Sequence, residues 1–180
     1  MSSSGIIKAD AVLKETGVKK GDTFLDAGCG GGYVAIAASK IVGDEGTVYA
    51  ADIDEKSISH LKSEIAAKCI PNVTALVADI TKRMPLEDGT IDVCLMSNVF
   101  HGLVENGEAD SSLKEIFRIV KIGGIFTVVE FKKKRSIFGP PFRVKLSPEE
   151  VDCIVSPYCF SRRQTAEVSR FHYAVKFVKK

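Results

Sequence analysis

Apolar positions along this chain switch between two rhythms, a strand-like one of alternation or short runs and a helical one near 3.6. Ala9–Thr16 has the helical spacing and stops at Gly17, a good residue for the left-handed turn after a helix. Thr23–Ala27 is a short, mostly apolar strand that runs into Gly28-Cys-Gly-Gly-Gly32. Tyr33–Val42 returns to helical spacing, with Tyr33, Ala37 and Ile41 on one stripe, and ends at Gly43. Thr47–Ala51 is a second strand, followed by Asp52-Ile-Asp54. Helix Glu55–Lys68 places Ile58, Leu61 and Ile65 on one face, and Pro71-Asn72 separates it from strand Val73–Ala78. Lys82–Gly89 is a polar loop before the alternating strand Ile91–Met96. Glu108–Val120 is the clearest helix, with Leu113, Ile116, Phe117 and Val120 in the i, i+3, i+4, i+7 pattern. Gly123-Gly124 is expected to end it, ahead of strand Ile125–Phe131. Ser147-Pro-Glu-Glu150 reads as a helix start, with a serine cap, proline in the first turn and a glutamate to complete a capping box. Two alternating segments, near Thr165–Ser169 and His172–Val178, are expected to close the chain as a hairpin.

Strands alternating with helices predict an α/β fold, a doubly wound and mostly parallel sheet covered on both faces. The hairpin would make its last strand antiparallel. Right-handed crossovers gather the loops after the strands at one edge, where ligands bind. At 180 residues, with no repeat or linker, the chain is read as one domain over residues 1–180. Its 45% hydrophobic and 27% charged content excludes wholesale disorder. A net charge of +2 gives no nucleic-acid signal. Apolar runs such as Val34–Ala38 fall far short of the roughly 20 residues of a membrane span. Met1-Ser-Ser-Ser-Gly5 lacks the basic-then-apolar order of a signal peptide. Five cysteines without a Cys-x-x-Cys pair argue for a reduced, cytoplasmic setting. With three scattered histidines they argue against a metal site.

Leu25-Asp-Ala-Gly-Cys-Gly-Gly-Gly32 joins a strand to a helix, where glycines let backbone approach a ligand and the helix start offers free N–H groups. A tight turn with no ligand is the plain alternative. The dinucleotide fingerprint wants a third glycine where Tyr33 stands; the spacing here is Gly28-x-Gly30-x-Gly32. Asp52 follows the second strand 24 residues after Gly28, and Asp79 follows the third. Acids at three successive strand ends, Asp26, Asp52 and Asp79, outline a neutral or cationic ligand better than a pyrophosphate.

Leu25–Gly32 resembles motif I of the class I S-adenosylmethionine-dependent methyltransferases. Val48-Tyr-Ala-Ala-Asp-Ile-Asp54 resembles motif II, Val77-Ala-Asp-Ile80 motif III, and Ile91-Asp-Val with Ser97-Asn98 the fourth-strand motif. Leu113–Gly124 resembles the helix and double-glycine turn before strand five. The resemblance runs from about Lys8 over nearly the whole chain and is closest to the small ubiquinone/menaquinone-biosynthesis-like branch. Ile122 stands where that branch usually has proline, which affects only the turn. The resemblance implies a Rossmann-like sheet of seven strands. It also implies in-line methyl transfer from S-adenosylmethionine to a small-molecule acceptor, leaving S-adenosylhomocysteine. Backbone at Ala27, Gly28, Gly30 and Gly32 would pass the methionine part of the cofactor, with Asp26 near its ammonium. Asp52 would hold the ribose hydroxyls and Ile53 would pack on the adenine. Asp79 would accept from the adenine amino group and the Ile80 N–H would reach a ring nitrogen. Asn98, with the Ser97 carbonyl, would sit near the methyl group. Plain core packing is the alternative for Ile53 and Ile80, and a solvated strand end for Asp52.

A sulfonium leaves as a neutral thioether, so catalysis reduces to alignment unless the acceptor carries a proton. His101, just after the fourth strand, is the candidate base. A structural loop histidine is its alternative. Phe100 could line the acceptor pocket or belong to the core, with core favoured, and Cys29 is read as a small spacer. Cys153 and Cys159 lack a thiol-acceptor pattern, and Lys132-Lys-Lys-Arg135 reads as a solvated charged loop, with capture of an anionic acceptor or RNA as its alternative. Two other functions stay open: a cofactor-binding scaffold without catalysis, and a nicotinamide oxidoreductase, which Tyr33 disfavours.

Overall fold

The computed structural model describes residues 7–180, and the polar segment Met1–Gly5 lies outside them. Strands β1 (Thr23–Ala27), β2 (Thr47–Asp52), β3 (Val73–Val77), β4 (Ile91–Ser97), β5 (Val120–Phe131), β6 (Phe160–Glu167) and β7 (His172–Lys179) form one sheet. Its order is β3-β2-β1-β4-β5-β7-β6, with β7 antiparallel to both neighbours and the first five strands parallel. This is the expected doubly wound, Rossmann-like α/β sheet of seven strands. Successive strands are laid down outward from β1 to β3 and then, on its other side, from β4 to β5, with β7 inserted between β5 and the edge strand β6. The carboxyl ends of β1 and β4 therefore flank the switch point, where loops diverge and leave a crevice.

Strand alternation sends successive side chains to opposite faces. Phe24 belongs to the apolar layer covered by α1 (Ala9–Thr16), α2 (Tyr33–Val42) and α3 (Glu55–Ala67), through Val12, Leu13, Ala38, Ile58 and Leu61. Leu25 belongs to the opposite layer, under α4 (Phe100–Glu105), α5 (Ala109–Ile119) and α6 (Pro148–Val155). Phe100, Ile116, Phe126 and Val151 are fully buried there, each contributing roughly 1.5–3 kcal/mol relative to exposure. Phe100 is thus a core residue, as expected.

Four local expectations are corrected. The stripe of Tyr33, Ala37 and Ile41 is not the buried one, since Val34, Ala35, Ala38 and Val42 go inward. That helix is apolar nearly all round, so its spacing does not select a face. Helix α5 ends at Ile119, and Gly123-Gly124 lie inside β5. Between the pairs Ile91↔Val120 and Val93↔Ile125, β5 carries three extra residues, so the glycines serve a bulge. Ile122 projects from that bulge into solvent. The hairpin begins at Phe160, earlier than Thr165, because β6 is an edge strand whose Ser161–Gln164 stretch is largely polar. Finally, the residues after Asn98 form the short helix α4, for which one and a half turns offered too little periodicity.

The capping box at α6 forms in both directions: the Glu150 N–H donates to Ser147 Oγ at 3.2 Å, and the Ser147 N–H donates to Glu150 Oε2 at 2.7 Å. Ser147→Ala is expected to lower stability by about 1 kcal/mol and Ser147→Asp to restore most of it, read by urea unfolding. An Ala variant as stable as the parent would remove the cap from the account.

Candidate functional site

The loop after β1 is fastened before any ligand is considered. The Gly28 and Cys29 amides donate to the Ala51 carbonyl at 2.8 and 3.0 Å, tying the loop to β2. Asp52, the last residue of β2, reaches back: its Oδ2 accepts the Gly30 N–H at 2.7 Å and its Oδ1 the Asp54 N–H at 2.9 Å. Gly28 sits at φ +80°, and a Cβ there would lie 2.4 Å from a Val99 methyl. A Cβ at Gly32 would lie 2.4 Å from Leu61 of α3. These two glycines allow backbone and helices to meet. At Gly30 a Cβ would meet no protein atom, so the room beside it is open.

A cleft of about 490 Å³ opens at the switch point. Of the sequence-predicted residues, Gly28, Asp52, Ile53, Asp79, Ile80 and Asn98 line it. Asp26, Ala27, Gly30, Gly32 and Ser97 are not in its wall; they belong to the strand ends and loop behind it. The wall also holds Thr81, Val99, Leu103, Asn106 and Glu108, which sequence reasoning missed. Thr81 had a signal, since a Thr two residues after Asp favours a side-chain turn. The others arrive on α4 and the link to α5, for which no pattern was legible.

Ile53 is 69% exposed at the edge of this cleft, an apolar surface open to a flat ring. Asp79 accepts the Thr81 N–H at 2.9 Å and the Thr81 hydroxyl at 2.6 Å, and pairs with Lys82 at 3.0 Å. The Thr81 bonds, chiefly, hold its carboxyl below the usual range. A carboxylate offers about four acceptor directions, so Asp79 keeps capacity for another donor.

Behind the loop, Asp26 is 2% exposed and its Oδ2 has no hydrogen-bond partner. Burial pushes its carboxyl up to about 7; the Ala35 backbone N–H offsets part of this and the Asp52 charge adds to it. Asn98 is one of few non-glycine residues at positive φ, +58°, and its buried Oδ1 also lacks a partner. Buried acceptors are normally satisfied, so two orphaned oxygens at adjacent strand ends fit a donor-rich, cationic ligand group.

His101 is not brought into this cleft. Helix α4 separates them: Val99, Leu103 and Asn106 face the cleft, whereas His101, Val104 and Glu105 line a second cavity of about 270 Å³ with Arg143, Val144 and Leu146. The placement follows from helical phase, because His101 is offset from Val99 and Leu103 by two positions. Cys29 is buried, and burial first, then the charges of Asp26 and Asp52, push its thiol far up, so it stays the inert spacer it was read as. In the basic run, Lys132 pairs with Glu167 and Lys133 with Glu150. Among the described residues no cluster of three or more His, Cys, Asp or Glu is placed to hold a metal. No helix among them is long and apolar enough to cross a membrane.

The profile of the ubiE/COQ5 methyltransferase family matches residues 4–144. The ubiquinone/menaquinone biosynthesis C-methyltransferase UbiE of Marinomonas sp. (strain MWYL1) is 29% identical over 124 residues, 69% of this chain and 48% of that protein. UbiE of Yersinia enterocolitica is 30% identical over 118 residues, 66% of this chain and 46% of its own. The chain thus spans about half the length of the curated relatives it matches. A crystal structure of a SAM-dependent methyltransferase from Aquifex aeolicus superposes with TM-score 0.87 at 30% identity, covering 97% of this chain and 90% of that one.

The burial of Asp26 has a consequence for stability. Its carboxyl ionises near 3.8 in an ordinary setting and near 7 when folded. The folded state thus binds the extra proton between those values, and stability falls as pH rises from about 4 to about 7. Asp26→Asn removes this penalty. The ligand-free variant is expected to be more stable than the parent at pH 7.5, by up to about 4 kcal/mol, and nearly equal to it at pH 4. Urea unfolding at the two pH values checks this; a difference that does not change with pH contradicts the assignment.

Proposed function

The chain belongs to the ubiE/COQ5 methyltransferase family, and from that premise we propose that it transfers a methyl group from S-adenosylmethionine to a small-molecule acceptor. The observation that carries the reading is the pair of orphaned buried oxygens, Asp26 Oδ2 behind the cleft and Asn98 Oδ1 of its wall, with Asp52, Ile53 and Asp79 also lining it. Those residues suit the two ends of the cofactor. Asp26 and Asn98 take the methionine ammonium, with the backbone of Ala27, Gly28, Gly30 and Gly32 and the Ser97 carbonyl alongside. Asp52 takes the ribose hydroxyls with lone pairs left over from the Gly30 and Asp54 amides. Ile53 covers the adenine, Asp79 accepts from its amino group and the Ile80 N–H meets a ring nitrogen.

Bound in this way, the cofactor supplies an activated methyl on a sulfonium that departs as a neutral thioether. The chain's own contribution is alignment, which at its best lowers a barrier by roughly 7–11 kcal/mol. The Asp52–Gly30 bond and the Ala51 carbonyl keep the loop in one shape, so little reorganisation is left for the reacting state. His101 is the base for an acceptor that carries a proton. It stands three residues from Asn98, at most about 11 Å along the chain but across α4 from the cleft, so the acceptor it serves is one large enough to reach round the start of that helix. The named relatives are C-methyltransferases, and a small molecule that presents its carbon beside an ionisable oxygen suits both that chemistry and a base at His101. Nucleic acid is outside the reading, because carboxylates already pair with two of the run's four cations. A cytoplasmic setting accords with five free cysteines.

Titration calorimetry tests the reading. S-adenosylhomocysteine is expected to bind and NAD not to. Asp52→Ala is expected to weaken S-adenosylhomocysteine by about 1.5–3 kcal/mol, roughly 10- to 150-fold, the scale for bonds to a charged group. Radiolabel from S-adenosylmethionine should enter a component of cell extract. Preferred binding of NAD would support the oxidoreductase, and tight binding without any turnover the scaffold.

A further inference from the structure

Glu130 is the penultimate residue of β5, 1% exposed, and it points its carboxylate at the start of α4. Its Oε1 accepts the His101 backbone N–H at 3.0 Å, and both oxygens lie 2.9 Å from His101 Nδ1. The imidazole is pinned on one side, and among the described residues Nε2 has no protein partner. The side chain of His101 is 17% exposed and lines the cavity between α4 and the 3-10 turn Phe142–Val144. Val104, Val144 and Leu146 give that cavity apolar walls, and the Arg143–Glu105 ion pair, at 3.3 Å, stands at it.

We propose that Glu130 is a positioning residue: by holding a proton on Nδ1 of His101 it turns the Nε2 lone pair toward this cavity, where a partly apolar acceptor surrenders a proton from oxygen or nitrogen. The proposal rests on the methyl-transfer reading and deepens it. Neutral imidazole carries one proton, and a carboxylate can only accept, so Glu130 selects the tautomer. In the transfer the acceptor's electron pair bonds to the methyl carbon and the carbon–sulfur pair stays on sulfur. The acceptor's proton passes to Nε2, and the resulting imidazolium is held by Glu130 until water takes the proton.

The charged groups around His101 are Glu130 on β5, Glu105 on its own helix and Arg143 on the facing turn, with Tyr173 of β7 beside Glu130 in the sheet register. The hydrogen bond from Glu130, foremost, raises the His101 pKa against the opposing effect of burial, and the charges of Glu130 and Glu105 add to it. A base must be unprotonated to act, so the rate rises with pH through a midpoint above the ordinary 6.5.

Nitrogen-15 NMR of histidine-labelled protein, with His101→Gln to identify the signals, reads the tautomer and the titration directly. The parent is expected to carry hydrogen on Nδ1 and to titrate above 6.5. Glu130→Gln, which keeps an acceptor for the His101 amide, is expected to lower that midpoint by half a pH unit or more. It should leave S-adenosylhomocysteine affinity within twofold. Methyl incorporation from S-adenosylmethionine into the small-molecule fraction of a cell extract, followed from pH 6 to 9, should rise with the NMR midpoint. In Glu130→Gln that limb should move down in pH and the plateau fall at least tenfold. An Nε2-protonated tautomer in the parent, or a limb that stays in place in Glu130→Gln, overturns the role of Glu130 while S-adenosylhomocysteine binding persists. Absence of S-adenosylhomocysteine binding by the parent overturns the methyl-transfer reading itself.

Discussion

A carboxylate buried without a counter-charge weakens a fold, and the carboxyl end of β1 is organised around one. Asp26 shares its face of the strand with Phe24, so alternation alone aims it into the layer beneath α2. The free amides at the start of α2 ease the burial of Asp26, through Ala35, without satisfying Oδ2. Around this point the backbone is held elsewhere. Ala51 accepts two loop amides, Asp52 accepts a third, and Gly28 and Gly32 let Val99 and Leu61 approach. The site is therefore fastened in shape and unfinished in charge, which is the arrangement the proposed cationic ligand group would complete.

Helix α4 divides the work. One of its faces closes the cleft through Leu103 and Asn106, and the other presents His101 to a separate, apolar-walled cavity. Glu130 joins the two halves because it caps the start of α4 and orients the imidazole with one carboxylate. The proposed methyl transfer would ask for alignment before acid–base chemistry, and the loop after β1 is the more heavily bonded part, the histidine the more open one.

Much of this was legible in the sequence, and the reasons are physical. The five parallel strands and their helices show in apolar rhythm because each must bury a continuous face. The acids at 26, 52 and 79 show because parallel strands bring their ends to one edge. The capping box at Ser147 shows because it depends only on neighbours. What did not show depends on contacts between distant residues. Helix α4 is too short for periodicity, so Val99, Leu103, Asn106 and the true orientation of His101 were hidden. Strand β6 is polar over Ser161–Gln164 because it is an edge, and Gly123-Gly124 read as a stop because a bulge and a helix end use the same residue. The Glu130–His101 bond joins positions 29 residues apart and had no local signal at all.

If a cationic ligand group completes the buried carboxyl of Asp26, as proposed, binding must release its proton. At pH 6 a carboxyl that ionises near 7 is largely protonated, and an ammonium placed against it drives the proton off. Titration of S-adenosylhomocysteine in two buffers of different ionisation enthalpy is expected to show release of close to one proton at pH 6, falling toward none by pH 8.5 and absent in Asp26→Asn. Binding with no proton release at pH 6, or with the same release in Asp26→Asn, would contradict it.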